Sequence, residues 1–474
     1  MKATWILLGI TVFFSACSES FLELTPKDQL VSEAYYKNVE QLNRGVIGCY
    51  APLQTTYNGG GLPLTLEMIS DDGIPWKGNT SVLNDFNKTF SSTPGSLWTT
   101  SFNNIQRCNR MIQVIQEKGY TVQVGEETLP DAYEGEVRFI RALNYFNLVR
   151  VFGDVPLVNK PFSVPSEAVG IGRTPVQTIY DEIIIPDFRF AAEHCLLRSA
   201  MQASNLGRVT SGAGYTMLAK AYLTLKLYAE AEEALKKVLD SKEYKLLNKP
   251  SDVFLLENSN SPESIFEVQF DEAAEDGSTF NSWIGWEIWQ ALNVTSRSGQ
   301  LIISGNLISA YKNNSDTVRL NSWLGEKAYD QVQKKWITDE PWCKKHVTYG
   351  LGLLNAGNNY TVTRYADVLL MLAEVMVMQN RNSEALPYIN EIRRRAMVPE
   401  YTAGQLTINT ILHERRMELC IEGHRWFDLL RTGKALETMN AIIKPKVVPE
   451  WQLLFPIPNG EIQKDPSMVQ NPGY

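Results

Sequence analysis

A spaced internal repeat restricts the fold of this chain more than any other feature. "MLAKAYLTLKLYAEAEEALKKVL" begins at Met217, and "MLAEVMVMQNRNSEALPYINEIR" begins at Met371. Aligned without gaps, Met-Leu-Ala coincides at both starts, and Glu230-Ala231 coincides with Glu384-Ala385. Apolar residues recur at helical spacing in both, so each reads as helix, tight turn, helix. Ala219 and Ala373 are small enough to let two helices pack closely. A helix hairpin cannot bury its apolar face alone, so such units must stack on neighbours.

The pattern is similar to tetratricopeptide repeats, interrupted rather than tandem. "RALNYFNLVRVF" (Arg141–Phe152) reads as the first helix of a further pair. Glu33–Tyr50 has helical spacing and leads into "APLQTTYNGGGLP", a loop by its Pro and Gly content. "SLWTTSFNNIQRCNRMIQVIQEKG" is a helix stopped at Gly119, and "GEVRFIRALNYFNLVRVFGDVPLV" is a helix ended at Phe152-Gly153-Asp154. Between the two repeats, the segment at about 249–359 has few helical runs and is rich in Asn, Ser, Gly and Trp. Within it, "ESIFEVQF" (Glu263–Phe270) alternates like a half-buried strand. Binding usually sits on such a loop-rich segment carried by a rigid scaffold. The expected architecture is mainly α, a single domain at 17–474 with this insert.

The N-terminus reads as a leader. Lys2 precedes the apolar run Trp5–Phe14, then Ser15-Ala16-Cys17. The run is too short to span a bilayer. "FSAC" resembles a bacterial lipobox, with Phe14 where Leu is usual, so 1–16 is read as a lipoprotein signal peptide and Cys17 as the lipidated residue. The other five cysteines are scattered without CxxC, which argues against a disulfide framework and a zinc site. A net charge of −8 leaves no electrostatic footprint for nucleic acid.

No active site is advertised. His413-Glu414 invites comparison with HExxH, but Met417 occupies the second histidine's place. Glu414, Glu418 and Glu422 recur at i,i+4 and are flanked by Arg415, Arg425 and Arg431, which reads as an ion-pair lattice between helices. Asp71 and Asp72 are adjacent and cannot straddle a sugar bond as a glycosidase pair would; they either receive hydrogen bonds from sugar hydroxyl groups in a loop or form a helix-terminating turn. No nucleophile elbow or P-loop is present, and "NGGG" (Asn58–Gly61) lacks a strand–helix context. No cofactor or metal is indicated, although the acidic loops permit a calcium ion.

Taken together, several segments resemble the SusD/RagB-like outer-membrane lipoproteins of Bacteroidota. They are the lipobox with "FLELTPKDQ", "LWTTSFNNIQRCN", "VRFIRALNYFNLVRVFGDVPLV", "ERRMELCIEGHRWFDLLRTGK" and "LFPIPNGEIQKDPSMVQNPGY". The resemblance spans nearly the whole chain. It implies helix pairs on one side and variable ligand-binding loops on the other. It implies a surface-facing, lipid-anchored glycan-binding protein that is not an enzyme and serves a SusC-like TonB-dependent transporter. A peptide or glycopeptide ligand is the alternative, and a glycan-processing enzyme the more distant one. The C-terminal motif is expected to pack back along the body, with its prolines fixing an extended path.

Glycan recognition asks for flat apolar rings against the C–H face of a sugar and polar side chains at its rim. The loop regions that the resemblance singles out hold Asp71, Asp72, Trp76 and Asn79 here. Six of the eleven tryptophans fall between Trp283 and Trp342. "NSWIGWEIWQ" alone holds Trp283, Trp286 and Trp289, which form either a stacking platform, a core or a contact with the transporter. Trp98 could be packing or the floor of a platform. Trp323 and Tyr329 are second-choice platform residues, ahead of Trp336 and Trp342.

Overall fold

A computed structural model describes residues 35–76, 93–120, 123–124, 127–273, 276–291, 299–347, 355–443 and 447–474. Cys17 and Asn79 lie outside the described residues.

The scaffold opens with α1 (Val39–Tyr57), capped by Asn38, whose side chain accepts from the Gln41 amide. The loop expected after Tyr50 is helical as far as Tyr57, with Pro52 inside α1. Proline removes the donor that the carbonyl four residues earlier would accept. That carbonyl belongs to Gly48, and Arg107 supplies the missing donor through Nη1 at 2.6 Å. A tertiary contact thus lets the helix run through its proline. α2 (Leu62–Met68) and the strand β1 (Gly73–Pro75) follow.

The long helices α3 (Thr93–Lys118) and α4 (Leu129–Phe152) pack together, and α4 is buried over most of its length. Polar residues on so buried a helix need partners. Arg141 finds Asp187 through two hydrogen bonds, 2.7 and 2.8 Å, and Asn109 at 2.7 Å. Asp187 lies on α5 (Ile185–His194). Next come α6 (Ser211–Thr224) and α7 (Tyr228–Ser241), the first repeat.

The strand β2 (Ser264–Val268) opens the insert's path. The insert carries α8 (Trp286–Ala291), β3 (Leu301–Ile303), α9 (Gly305–Asn313), α10 (Thr317–Trp323) and the strands β4 (Ala328–Asp330) and β5 (Lys335–Ile337). It returns through β6 (Tyr360–Arg364), antiparallel to β2 with Tyr360 opposite Val268 and Arg364 opposite Ser264. β2 was expected to be half-buried; both of its faces are buried, with α1 and α6 packed on it.

The second repeat is α11 (Tyr365–Met378) and α12 (Asn382–Arg395), followed by α13 (Ile408–Leu419) and α14 (Arg425–Arg431). The two repeats turn alike. Lys226 and Asn380, at aligned positions, both take positive φ, +62° and +61°. Leu227 N donates to Tyr222 O, and Arg381 N to Met376 O, again aligned pairs. Short turns of this left-handed kind satisfy the last carbonyls of the first helix and send the chain back. Successive helices then stack: α3 on α4, α4 on α5, α5 on α6, α6 on α7, α7 on α11, α11 on α12 and α13.

The C-terminal tail closes this array. Phe455 and Ile457 are buried, Phe455 N donates to Val151 O at 2.8 Å, and Asn471 Nδ2 donates to the carbonyls of Phe152 and Phe455. No described helix is long and apolar enough to cross a membrane. The five described cysteines are buried free thiols.

Candidate functional site

The acidic stripe of α13 proves to be scaffold, with partners other than those its sequence neighbours offered. Glu422 lies beyond the end of α13, in the turn before α14. Arg364 on β6 binds Glu263, Glu418 and Glu422 at 2.7–2.8 Å. Arg319 binds Glu414 and Glu418, and Lys345 binds Glu422. Burial alone would raise the Glu422 carboxyl, but Arg364 and Lys345 hold it down to about 2. Of the flanking arginines, Arg415 pairs with Asp367 and Asp428, and Arg431 with Glu374 and Asp428.

The third flanking arginine, Arg425, accounts for the paired aspartates. Asp71 receives Arg425 at 2.7 Å and Arg416 at 3.0 Å, and Asp72 receives Arg416 at 2.7 Å. Burial pushes Asp71 up, and the two guanidinium groups more than offset it. For Asp72 burial outweighs Arg416 and the carboxyl is raised. Both side chains are buried, so the expectation that they receive sugar hydroxyls is corrected: they tie the loop after α2 to α13 and α14.

Four expected platform tryptophans are also core. Trp283 is 2 % exposed, and its Nε1 donates to Gly59 O at 2.5 Å. Trp289 is 0 % exposed, and its Nε1 donates to Asn281 O at 3.1 Å. Trp323 is 1 % exposed, donates to Pro250 O at 2.9 Å and carries Lys345 Nζ over its ring at 4.0 Å. Trp98 is buried against Phe102 and Phe152. In each of the first three, an indole N–H meets a carbonyl, which lets a large ring bury without an orphan donor. Trp286 opens α8, but its side chain lies outside what is described.

Two expected regions do come together. β1 pairs with β3, and Trp76 N donates to Gln300 O at 3.2 Å. The half-buried Trp76 indole rests on two glycines of the insert: a Cβ at Gly285 would lie 2.6 Å from its Nε1, and one at Gly299 would lie 2.8 Å from its Cδ2. The loop after α2 is thereby fastened to the tryptophan-rich stretch.

The insert has its own small core, in which Ile284, Ile288, Trp289 and Trp342 meet Ala328 and Ile337. α8 packs on both β4 and β5. Strand side chains alternate between faces. Ala328 and Ile337 point into that core, and the cross-strand pair Tyr329 and Trp336 occupies the other face. Their ring centroids are 5.2 Å apart, edge to face, and Trp336 stays 56 % exposed. Lys327 Nζ lies 5.1 Å from the Trp336 ring centroid. Trp289 is therefore foundation, and the hairpin above it presents the aromatic surface. The alternation in "AYDQVQKKWI" carries this signal, with Asp330 Oδ1 accepting from Val332 N and Gln333 N to close the turn. A recess of about 480 Å³ lies where α1, α2 and α3 meet Thr279 of the insert, lined by Thr55, Asn58, Ser96 and Thr100 together with Leu62 and Leu97.

Two family models match this chain. Residues 272–474 match the model described as "SusD family", and residues 20–223 match the one described as "Starch-binding associating with outer membrane". The chain belongs to the SusD family. Among relatives of the SusD type, a protein named SusD-like protein P2 from Formosa agariphila is 27 % identical over 519 residues, 100 % of this chain and 99 % of its own length. A solved SusD superfamily protein from Parabacteroides distasonis superposes with a TM-score of 0.78 at 26 % identity, covering 92 % of this chain and 99 % of its own. A structure titled "Laminarin binding SusD-like protein" superposes with a TM-score of 0.79 at 24 % identity, covering 93 % of this chain and 100 % of its own. This mainly helical chain thus shares its fold with the two solved structures. Among the described residues no group of three His, Cys, Asp or Glu is placed to hold a metal ion.

Proposed function

We propose that this SusD-family protein binds an oligosaccharide or polysaccharide and passes it to a SusC-like TonB-dependent transporter. In this reading it is held at the outer membrane by acyl chains on Cys17, faces the cell surface and performs no chemistry on its ligand. The observation that carries the binding role is Trp336. It is the one described tryptophan of the insert with more than half of its surface open, and it pairs with Tyr329 on a hairpin built over a rigid core. An exposed indole covers the C–H face of a pyranose at little entropic cost. Lys327 and the recess around Asn58 and Thr100 offer hydrogen bonds to hydroxyl groups. Trp76, Trp286 and Asn79 remain proposed ligand contacts. The names of relatives that bind laminarin or surface glycans support the same ligand class.

Affinity gel electrophoresis tests the reading, using the chain from residue 18 and a panel of polysaccharides that includes laminarin. Retardation by one glycan is expected, and Tyr329→Ala/Trp336→Ala should abolish it at an unchanged melting temperature. No retardation by any glycan, with capture of peptides instead, would replace the sugar with a peptide ligand. Release of shortened sugar from an incubated glycan would make the protein an enzyme.

A further inference from the structure

We propose that the groove between α1 and α3 is a second ligand site, which takes an acidic polysaccharide through its carboxylate or sulfate groups. The groove encloses about 1030 Å³. Along α3, Gln106, Arg107, Arg110 and Gln113 line it, a spacing that puts all four on one side of a helix. Asn159 and Lys160 form the facing wall, and Tyr36 and Phe162 give it ring surface.

Three features set its chemistry. First, Arg107, Arg110 and Lys160 make no ion pair among the described residues, while Arg141 on the floor is neutralised by Asp187. Second, no described carboxylate lines the groove, in a chain whose net charge is −8. Unpaired cations gathered along one concavity reinforce one another's field and concentrate anions. Third, the guanidinium groups are presented in order. Arg107 is anchored by the Gly48 carbonyl that Pro52 leaves free, and Arg110 Nη1 donates to Gln113 Oε1 at 3.0 Å. A planar guanidinium suits a carboxylate or sulfate better than a lone hydroxyl. The amides of Gln106 and Asn159 suit the hydroxyl groups between such charges. A flat lipid surface could touch only the rim of this hollow, whereas a polysaccharide chain can lie along it. The site is built from elements other than the Tyr329–Trp336 hairpin, and it stands or falls separately from that face.

The test uses the chain from residue 18 in native gels containing polygalacturonate, dextran sulfate or neutral dextran. Arg110→Glu/Lys160→Glu reverses two charges. Gly48→Leu keeps every charge and fills the hollow, since an added Cβ there meets nothing within 4 Å. Melting temperatures no lower than wild type are required of both variants. Retardation by a polyanion is expected, weakened about ten-fold or more by each variant, with binding of a neutral glycan at Tyr329 and Trp336 untouched. Retardation by polygalacturonate alone assigns carboxylates, and by dextran sulfate alone sulfates. The proposal is overturned if neither polyanion retards the protein. It is also overturned if the charge reversal has no effect, or if Gly48→Leu binds as tightly as wild type, which would mean diffuse surface attraction. Flotation with phosphatidylglycerol vesicles that the charge reversal abolishes, with polyanion binding unchanged, would make the patch a membrane contact instead.

Discussion

Arg364 on β6 grips Glu422 with two parallel hydrogen bonds, Nε to Oε2 at 2.8 Å and Nη2 to Oε1 at 2.9 Å, and neither side chain is exposed to water. The same guanidinium also reaches Glu263 and Glu418, so one side chain links the rim of the insert to the last helices. Removing one member of a buried ionic cluster leaves uncompensated charge and costs about 3–5 kcal/mol. Arg364→Met should therefore lower the melting temperature by several degrees and reduce soluble yield. A wild-type melting curve for this variant would show that the lattice adds nothing to stability.

The pH profile should have two unequal flanks. Glu422 is held down to about 2, and its stabilisation, full above the ordinary glutamate range, is lost as pH falls toward that value. His424 is kept neutral by burial, with its pKa pushed down to about 3, so protonation of the unfolded chain below neutrality also favours unfolding. Glu67 works in the opposite sense. Burial first, and then Asp72, raise its carboxyl to about 8. Its folded form holds a proton that the unfolded form has lost, so stability falls as pH rises through that value. Melting should be highest in mildly acidic buffer, and Glu67→Gln should flatten the alkaline flank alone. An unchanged alkaline flank in Glu67→Gln would sink this assignment.

Trp283 and Trp336 should part company on substitution. Emptying the Trp283 site removes a buried ring and orphans the Gly59 carbonyl, a loss of about 3–5 kcal/mol. Trp336→Ala lies on the surface and should stay within about 0.5 kcal/mol of wild type. Thermal melts and glycan gels run together check both. Trp283→Ala should lose stability, and Trp336→Ala should lose only retention.

Two glycine substitutions should have opposite signs. At Gly285 a methyl would meet Trp76 Nε1 at 2.6 Å and Glu340 Oε2 at 2.4 Å, so Gly285→Ala should displace the indole, change the fluorescence spectrum and destabilise by about 1–3 kcal/mol. At Gly48, inside α1, a methyl meets nothing, and Gly48→Ala should stabilise by about 0.5–1 kcal/mol. Equal melting of the two variants would contradict both placements.

The sequence by itself determined the helix hairpins. Apolar spacing and the small residues Ala219 and Ala373 are local signals, and the turns at Lys226 and Asn380 follow them residue for residue. The ionic character of α13 was equally legible, because three glutamates at helical spacing with few exposed uses must meet cations. Which cations they meet was not legible: Arg319, Lys345 and Arg364 arrive from about fifty to a hundred residues away. Only the tertiary structure decided which indoles are buried. A tryptophan in a core and one on a surface look alike in a sequence; what separates Trp289 from Trp336 is that α8 lies under one face of the β4–β5 hairpin and nothing described covers the other. The same holds for Asp71 and Asp72, which read as loop acids until the fold brings Arg416 and Arg425 against them from more than three hundred residues away.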